Sequence, residues 1–518
     1  MNTFPRINRL PPEVLAIIPS FLTYKDLVFS THVCRHWRNT FTTSPSLWSS
    51  LDNGTMDAHL LTAYMNRCGD TPLDVCFSPE LNKNIPFLKE LVLHSSHIRK
   101  INIPCVPWSH IANISNGFDA PLPLLRDIGL STGHREALSP FQRPFLAGAT
   151  NLVSLHLSDR STLHGTLLHF IIPTLSRLTL SFNNPRTPMV GEILEFLRTS
   201  PLIEDLRIDA DVVLDASGEN SSLPGRFESV GLPCLRNINL SWTTSRSQYT
   251  LLAHIRYPPS CCVSMQSRSG SNVDQPPQNV FPKLWDAFSL TDLSYVTLRM
   301  KREQSSTECT VIVKKPNGAS ASISHFQNVD GYISTDGDGN LVRDPKRDRD
   351  DNHVISDAAT FLGKLPPRLV RKLVLEDLEA DEMSNPESLI PPALLDLISW
   401  GMPDLTTLSL TRTCVSELLE VLTPPPPPSP TYLADLFDPD ARPTPPPCPA
   451  LKVLEMRHPS WVAQRHCPDV LALVKARKDG GVPLERVFLC SPGAPISMTA
   501  GMSLYVRDID IRWCGGCG

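Results

Sequence analysis

The stretch that decides the N-terminal fold is Leu10–Leu51, which reads LPPEVLAIIPSFLTYKDLVFSTHVCRHWRNTFTTSPSLWSSL. Two sets of apolar residues recur in it at helical spacing, namely Val14, Leu15, Ile18 and Leu22, and then Phe29, Val33, Trp37 and Phe41. Between the two sets, Thr23 with Asp26 three positions later is typical of a helix start. Pro11 and Pro12 suit the first turn of a helix, because no N–H group is needed there. The pattern predicts a compact three-helix segment, with Phe29–Phe41 on one helix and a short turn at Ser44–Trp48.

This segment has more large apolar side chains than a core of its size can enclose. The surplus either packs against the rest of the chain or forms an exposed patch that binds another protein. We expect the second arrangement, because exposed apolar patches of this kind usually mark interaction sites.

The same residues resemble an F-box. The matching positions are Leu10-Pro11-x-Glu13-Val14-Leu15, Ile18, Phe21-Leu22, Asp26-Leu27, Val33-Cys34-Arg35-x-Trp37-Arg38 and Leu47-Trp48. The resemblance implies that the helices dock on a Skp-type adaptor, and through it on a cullin scaffold. It carries the adaptor contacts of the family over to Leu10, Pro11, Val14, Leu15, Ile18, Leu22, Leu27, Val33, Cys34, Trp37, Leu47 and Trp48. Pro19 departs from the pattern, because a proline removes a backbone hydrogen bond and can kink the first helix.

Length and composition narrow the class of protein. A chain of 518 residues exceeds one ordinary globular core, so it predicts several domains or an elongated repeat. The net charge of −5 gives no basic field for nucleic acid. The N-terminus lacks the apolar core of a signal peptide, and no stretch is apolar enough to span a membrane. We therefore expect a soluble protein of the cytoplasm or nucleus, with thiols mostly buried as small apolar side chains.

A short pattern, apolar-x-x-apolar-x-apolar, returns along the rest of the chain. Its copies are Leu125–Leu130, Leu152–Leu157, Leu175–Leu180, Ile203–Ile208, Leu235–Leu240, Leu293–Leu298, Val370–Leu375, Leu405–Leu410, Leu451–Met456 and Leu484–Leu489. The first five start 27, 23, 28 and 32 residues apart, close to the roughly 20–29-residue period of leucine-rich repeats. Segments between copies look helical: Val190–Leu197, Ala393–Trp400, Val415–Leu422 and Val470–Arg477.

A helix, a breaker and a short strand, repeated, predict a β/α solenoid. The array resembles the degenerate leucine-rich repeats that follow the F-box in many fungal proteins. The predicted fold class is therefore α/β, a three-helix F-box followed by an irregular leucine-rich-repeat solenoid. A separate globular α/β domain is the alternative.

The predicted boundaries follow from these patterns. They are an F-box at 1–51, a connecting region at 52–84, the first part of the solenoid at 85–300, an insertion at 301–355 and the second part at 356–518. The insertion combines a β-hairpin over Thr307–Phe326, with an Asn-Gly turn, and a charged loop at Gly331–Asp351. The loop 423–449 is proline-rich and is either a spacer or a polyproline II ligand for SH3 or WW domains.

The sequence contains fragments of metal and redox motifs, but none is complete. Asp336–Asn340 resembles part of a calcium loop, but the closing acidic position holds Pro345. Cys514 and Cys517 have metal or redox spacing without a second ligand pair or a βαβ context. No nucleophile, phosphate-loop or zinc-protease motif occurs. We therefore expect no catalytic residue, no metal and no cofactor.

These features together predict a substrate-recognition subunit of a ubiquitin ligase, which holds an unknown protein target near the ubiquitin donor. A scaffold that does not drive degradation and an enzyme with an unrecognised site remain alternatives. On a solenoid, the polar residues between inward leucines face outward and would bind the target. Those singled out are His156, Thr179, Asp205, Arg207, Asn239, Glu455 and Arg457. Their mixed charge favours a protein partner over nucleic acid or membrane.

Overall fold

The computed structural model divides into two compact units, Met1–Pro258 (unit 1) and Pro259–Gly518 (unit 2). It describes residues 10–54, 56, 58–78, 80–106, 118, 121–132, 149–159, 172–182, 190–210, 228–241, 248, 251–268, 295–303, 306–314, 320–328, 333–335, 341–343, 362, 370–376, 392–411, 416–424, 446–457, 460–490 and 501–512. Both units are mixed α/β.

The N-terminal segment is helical but built from short pieces. It comprises α1 (Pro12–Leu15), a 3-10 helix (Ile18–Phe21), α2 (Tyr24–Ser30), α3 (Arg35–Thr42) and a second 3-10 helix (Pro45–Trp48). Thr23 caps α2, since its hydroxyl accepts a hydrogen bond from the Asp26 N–H at 3.3 Å. The first helix ends at Leu15, four residues before Pro19. This end is expected, because a proline clashes with the carbonyl four residues earlier and offers it no N–H.

The prediction of one helix through Phe29 and Phe41 is wrong. Helix α2 ends at Ser30, and Cys34 is fully extended before α3 begins. The Ser30 and Thr31 hydroxyls donate to carbonyls three residues back, at 2.6 and 2.7 Å. Such local side-chain bonds compete with continuation of a helix. Val33 therefore lies in the connection between the two helices.

Unit 1 contains a sheet of eight parallel strands, β1–β7 and β9, each paired with the next in that order. A separate parallel pair joins β8 and β10. The strands are β1 (Ser50–Asp52), β2 (Leu73–Cys76), β3 (Ile98–Val106), β4 (Asp127–Thr132), β5 (Ser154–Asp159), β6 (Arg177–Phe182), β7 (Asp205–Ala210), β8 (Val230–Gly231), β9 (Asn237–Ser241) and β10 (Ile255–Arg256). The described helices after α3 are α4 (Ala58–Cys68), α5 (Leu81–Val92) and α6 (Val190–Thr199).

The segment 52–84, which showed little periodicity, belongs to this sheet. It contains α4, β2 and the start of α5, and β2 pairs with both β1 and β3. Because β1 starts two residues after the second 3-10 helix, the parallel array begins directly behind the N-terminal helices.

Unit 2 contains a mixed sheet in the order β11, β14, β13, β12, β17, β18, β19, β20, β21. The strands are β11 (Cys262–Arg268), β12 (Tyr295–Glu303), β13 (Ser306–Lys314), β14 (Ser320–Asn328), β15 (Ile333–Thr335), β16 (Leu341–Arg343), β17 (Lys372–Glu376), β18 (Thr407–Thr411), β19 (Val453–Arg457), β20 (Arg486–Cys490) and β21 (Asp508–Arg512). The described helices are α7 (Pro392–Asp396), which continues as a π-helix at Leu397–Gly401, α8 (Ser416–Leu422) and α9 (Ser460–Asp479).

The hairpin predicted over Thr307–Phe326 lies in β13 and β14, which pair antiparallel. It is part of the sheet, because β13 also pairs with β12 and β14 pairs with β11. Within the predicted charged loop, only the antiparallel pair β15–β16 is described. The Asn317-Gly318 turn, Asp336–Asn340, Cys514, Cys517 and most of the proline-rich loop lie outside the described residues.

In all ten copies of the repeated pattern, a strand begins two residues after the first apolar position. The four segments predicted to be helical are helices. Most copies are preceded by the same turn, in which the N–H of the first apolar residue donates to a buried residue three positions earlier. These turns are Leu122–Leu125, Ala149–Leu152, Ile172–Leu175, Ser200–Ile203, Leu232–Leu235, Met402–Leu405 and Cys448–Leu451. All but one have proline in second place, where its fixed φ suits a β-turn.

Successive copies are also joined in the same way. The Val153 carbonyl accepts the N–H groups of Ser176 and Arg177, both at 2.9 Å, and the Ser176 carbonyl does the same for Glu204 and Asp205. The second and third apolar positions face inward in every copy and are buried. In register they form continuous rows, such as Ile128, Leu155, Leu178, Leu206 and Ile238. Their burial is the main stabilising contribution of the array.

Among the described residues, no helix combines the length and the apolar character that crossing a bilayer requires.

Candidate adaptor- and target-binding surfaces

The N-terminal helices expose an unusual density of apolar side chains. Six large apolar residues between positions 14 and 33 are exposed, and we call them the apolar surface: Val14, Ile17, Phe21, Leu22, Phe29 and Val33. The exposed fraction reaches 83% at Phe21 and 69% at Phe29. Single exposed apolar residues are common, whereas a cluster within twenty positions indicates an interaction site.

The predicted adaptor contacts fall into three groups. The exposed ones are Pro11, Val14, Leu22 and Val33. The half-buried ones are Leu10, Ile18, Cys34, Trp37 and Leu47. The fully buried ones are Leu15, Leu27 and Trp48. In this structure the last three pack inside the chain, so they support the apolar surface from behind.

The predicted set omitted Ile17, Phe21 and Phe29, three of the most exposed members of the apolar surface. The sequence did contain a signal, since Phe21 belongs to the matched motif and Phe29 continues an apolar spacing. It did not tell which apolar positions would remain outside the core. That distinction depends on which helix faces the rest of the chain covers: Phe29 on α2 and Val33 in the connection after it are both left exposed.

The N-terminal helices are joined to the sheet through Trp48. Its indole N–H donates to the Phe41 carbonyl at 2.8 Å, and its ring meets the Tyr64 ring at 4.7 Å between centroids. The Arg67 guanidinium lies 4.4 Å from the Trp48 ring centroid. The Tyr64 hydroxyl donates to the Tyr24 carbonyl at 3.4 Å. Tyr64 and Arg67 come from α4, so this helix completes the core that the N-terminal helices cannot close alone.

Burial raises the pKa of Tyr64 to about 12, although the positive charge of Arg67 opposes the shift. The Tyr64 hydroxyl is therefore neutral at physiological pH and can keep its hydrogen bond to Tyr24.

A comparison with protein families identifies this region. Residues 7–53 match the F-box-like family. The chain thus carries an F-box-like domain. Such domains generally bind Skp-type adaptors, which supports an adaptor-binding role in a Skp–cullin–F-box ubiquitin ligase. The match ends at the first strand of unit 1. A search of curated proteins finds no match to this chain.

A second candidate surface is the outward face of the unit 1 sheet. The register places one residue from each of six strands in a line, which we call the central row: Asn102, Gly129, His156, Thr179, Arg207 and Asn239. None of the six is buried. Four of the seven predicted target-binding residues belong to this row, and Asp205 lies on the same face two residues before Arg207.

Gly129 is the one position of the central row that has no side chain. A Cβ atom at this position would lie 2.6 Å from the Asn102 side-chain oxygen. The Asn102 side chain therefore lies over Gly129. The neighbouring His156 is exposed as a residue, but partial loss of water around its ring lowers its pKa, and the nearby Arg207 charge lowers the pKa further.

The charges on this face are paired with one another. Arg177 and Asp127 lie 3.0 Å apart across an intervening strand, and Arg207 lies 3.2 Å from Asp209. Asp205 accepts a hydrogen bond from the Asn237 amide. Exposed pairs of this kind contribute little stability. They do cancel the local charge, so the face presents alternating polar groups without a field of one sign.

The other two predicted target-binding residues are in unit 2. Glu455 pairs with Lys372 at 3.4 Å, and the Arg457 guanidinium lies 5.7 Å from the Phe488 ring centroid. Glu455 is half-buried and Arg457 is exposed. They occupy successive outward positions of β19.

Within the described residues, no group of three or more His, Cys, Asp or Glu side chains could hold a metal ion. Seven cysteines there are free thiols, whereas Cys490, at the end of β20, takes part in a disulfide bond. Cys68 and Cys76 are poor nucleophiles, because burial raises the pKa of each thiol.

Proposed function

We propose that this protein is the target-recognition subunit of a Skp–cullin–F-box ubiquitin ligase. The apolar surface binds the Skp-type adaptor, and through it the cullin scaffold. The observation that carries the proposal is the coincidence of two independent features. The residues that match the F-box-like family are the same residues that expose Phe21, Phe29 and Val33 to solvent.

The target-binding part of the proposal concerns the parallel strands. We infer that they form an irregular leucine-rich-repeat solenoid, of the kind found in fungal F-box proteins. The recurring β-turn, the shared carbonyl between neighbouring copies and the inward leucine rows support this inference. The central row, with Asp205 beside it, binds a protein target. Glu455 and Arg457 contribute in unit 2.

The mechanism is proximity. The adaptor-bound end and the target-bound face belong to one rigid frame within unit 1, because Trp48 packs against Tyr64 and Arg67 immediately before β1. Holding a target near the ubiquitin donor raises its effective concentration, and this requires no catalytic residue in the chain itself. We also propose a cytoplasmic or nuclear location. The free thiols, such as Cys68 and Cys448, support it, whereas the disulfide bond of Cys490 does not.

The test is binding of the full chain to a Skp-type adaptor. Phe21→Asp and Phe29→Asp should each weaken binding at least about thirtyfold, as expected for central contacts worth about 2 kcal/mol or more. Both side chains are mostly in solvent, so the fold should be unchanged. Leu93→Asp is the matched control, because Leu93 is 76% exposed and lies outside the family match.

Wild-type binding that survives both F-box substitutions would overturn the assignment of this surface. A second arm separates a ligase subunit from a scaffold. Proteins captured by the wild-type chain should become longer-lived when the cullin is inhibited, and they should not when the chain carries Phe21→Asp. Unchanged lifetimes in both cases would favour the scaffold.

A further inference from the structure

Arg477 is a fully buried cation on α9. Its side chain has no exposed surface, and the ion pairs of the described residues do not include it. It donates instead to backbone carbonyls. Nη1 bonds the Pro447 and Leu422 oxygens at 3.0 and 3.4 Å, and Nη2 bonds the Cys448 and Leu451 oxygens at 2.9 and 3.4 Å.

Such burial requires compensation. Taking a guanidinium out of water is costly unless hydrogen bonds replace its hydration. Burial accordingly lowers the pKa of Arg477 from its usual value, but an arginine stays charged in proteins. The Leu422 carbonyl is at the C-terminal end of α8, where the helix dipole is negative and favours a cation. The remaining carbonyls complete the set of acceptors for Nη1 and Nη2, whereas Nε is buried and has no hydrogen-bond partner among the described residues.

The four carbonyls belong to two segments that are distant in sequence. Leu422 ends α8 just before the proline-rich loop 423–449, whereas Pro447 and Cys448 lie at the end of that loop and Leu451 leads into β19. One nitrogen, Nη1, bonds a carbonyl on each side. The segment before the proline-rich loop and the segment after it therefore both bond to the same guanidinium.

The returning end is held by further contacts. Cys448 has φ +44°, a left-handed conformation that is rare outside glycine. Its N–H donates to the Ser399 carbonyl at 3.1 Å, and its thiol donates to the Ile398 carbonyl at 2.7 Å. Burial raises the pKa of this thiol to about 12, so it stays protonated and able to donate. These contacts fix the position of Cys448, and Arg477 connects it to Leu422 at the end of α8.

We propose that Arg477 is a buried clamp that holds together Leu422 and the segment Pro447–Leu451, the two described ends of the proline-rich loop. The clamp isolates α8 and β19 from whatever the insertion does, including binding a partner or changing in length. This role is independent of the F-box-like domain and goes beyond the proposed function.

The test is hydrogen exchange of the full chain, read in the segments 416–424 and 446–457. Arg477→Met removes the donors while keeping an apolar stem, so buried carbonyls lose their partners on both sides. Protection should fall in both segments together, by at least about tenfold. Lys475→Met is the matched control, because Lys475 is exposed on the same helix, and it should change neither segment. Loss on one side alone, or on neither, would overturn the proposal.

Loop length supplies a second, independent readout. If opening separates the two ends, replacing residues 425–446 with about six Gly and Ser residues should raise protection in the Arg477→Met chain by about sevenfold, from the entropy of loop closure. Protection that is indifferent to loop length would show that Arg477 does not hold the ends. Should Arg477→Met fail to fold, Arg477→Lys takes its place in both arms, because lysine keeps the charge without the fork.

Discussion

The parallel strands of the two units share their inward side and differ on the outward side. In unit 1 the central row is open, with His156 and Arg207 exposed and its other four residues half-buried. In unit 2 the corresponding line runs through Thr297, Val374 and Ser409, all of which are buried, before it reaches Glu455. The centre of the outward face of β12, β17 and β18 is therefore buried.

The difference follows the general behaviour of parallel strands. A strand covered on both sides has consecutive buried residues. In a strand with one face in solvent, buried and exposed residues alternate. Accordingly β17 buries Leu373, Val374 and Leu375 in succession, while β6 alternates buried Leu178, half-buried Thr179 and buried Leu180. The repeated leucine pattern is the same in both. Only the residue between the leucines differs, so the proposed target-binding line is open in unit 1, whereas the equivalent line in unit 2 is buried from β12 to β18.

The largest expected difference between the units should come from placing the same charge at one outward position in each of them. Ser409→Asp in β18 should lower the free energy of opening by about 3 kcal/mol or more, because it buries a carboxylate without a partner. Thr179→Asp in β6 should change it by less than about 0.5 kcal/mol, as for other surface positions. Hydrogen exchange of the two strands measures both effects.

The uncharged variants Ser409→Asn and Thr179→Asn separate charge from size, since each asparagine occupies the volume of the aspartate. Equal losses in the two units from the aspartate variants would mean that the outward faces are not differently covered, and would remove the reason for assigning target binding to unit 1.

A second difference between the units is the N-terminal helical domain, which unit 1 has and the described residues of unit 2 lack. The stability of this region should depend on pH through Tyr64. The pKa of Tyr64 is about 12 in the fold and near 10 in an unfolded chain. Between these values the unfolded state loses its proton while the folded state keeps it. The stability that Tyr64 contributes is thus complete below pH 10 and is lost as the pH rises towards 12, by at most about 2.7 kcal/mol.

Urea unfolding of the chain, followed by tryptophan fluorescence at pH 9 and at pH 11.5, measures the loss. Tyr64→Phe should remove the difference that this residue makes while keeping the ring contact with Trp48. An identical pH dependence in wild type and variant would contradict a buried Tyr64 hydroxyl.

The smallest expected effect concerns the proline-containing turns, which occur before the strands of both units. Pro173→Ala in unit 1 and Pro403→Ala in unit 2 relax equivalent turns, so each should destabilise its strand by about 0.4–1 kcal/mol through added freedom of the unfolded chain. The turn Ala149–Leu152 has Thr150 where the others have proline, and Thr150→Pro should stabilise β5 by a similar amount. Opposite signs at Pro173 and Pro403 would mean that the turns are not equivalent. Hydrogen exchange of β6, β18 and β5 provides the readout.

Much of the local structure was predictable from the sequence. The strand positions followed from the apolar pattern, because Leu and Val with this spacing can bury a continuous row only as neighbouring strands. The F-box-like domain was identified from Leu10–Leu51, since its motif residues are dense. The break between α2 and α3 was missed because Phe29, Val33, Trp37 and Phe41 also fit one helix. The hydroxyl residues Ser30 and Thr31 indicated the end of α2, because their side chains can bond to backbone carbonyls of the preceding turn.

Other features had no local signature. Nothing around Arg477 distinguishes it from the exposed Lys475 on the same helix, and its partners come from residues 26 to 55 positions away. The burial of Ser409 likewise has no signature, since serine is ordinarily a surface residue. In each case the deciding contacts are distant in sequence, whereas the patterns that can be read along a chain are local.

The sequence by itself determined that this protein begins with an F-box-like domain and continues as strands that bury regularly spaced leucines. Those outcomes depend on hydrophobic periodicity, which acts between near neighbours. Only the tertiary structure decided which apolar residues of the domain stay in solvent, which outward face of the strands is open, and that a buried arginine joins the two ends of the proline-rich insertion. Exposure and burial depend on what the rest of the chain covers, and that is settled when distant segments pack.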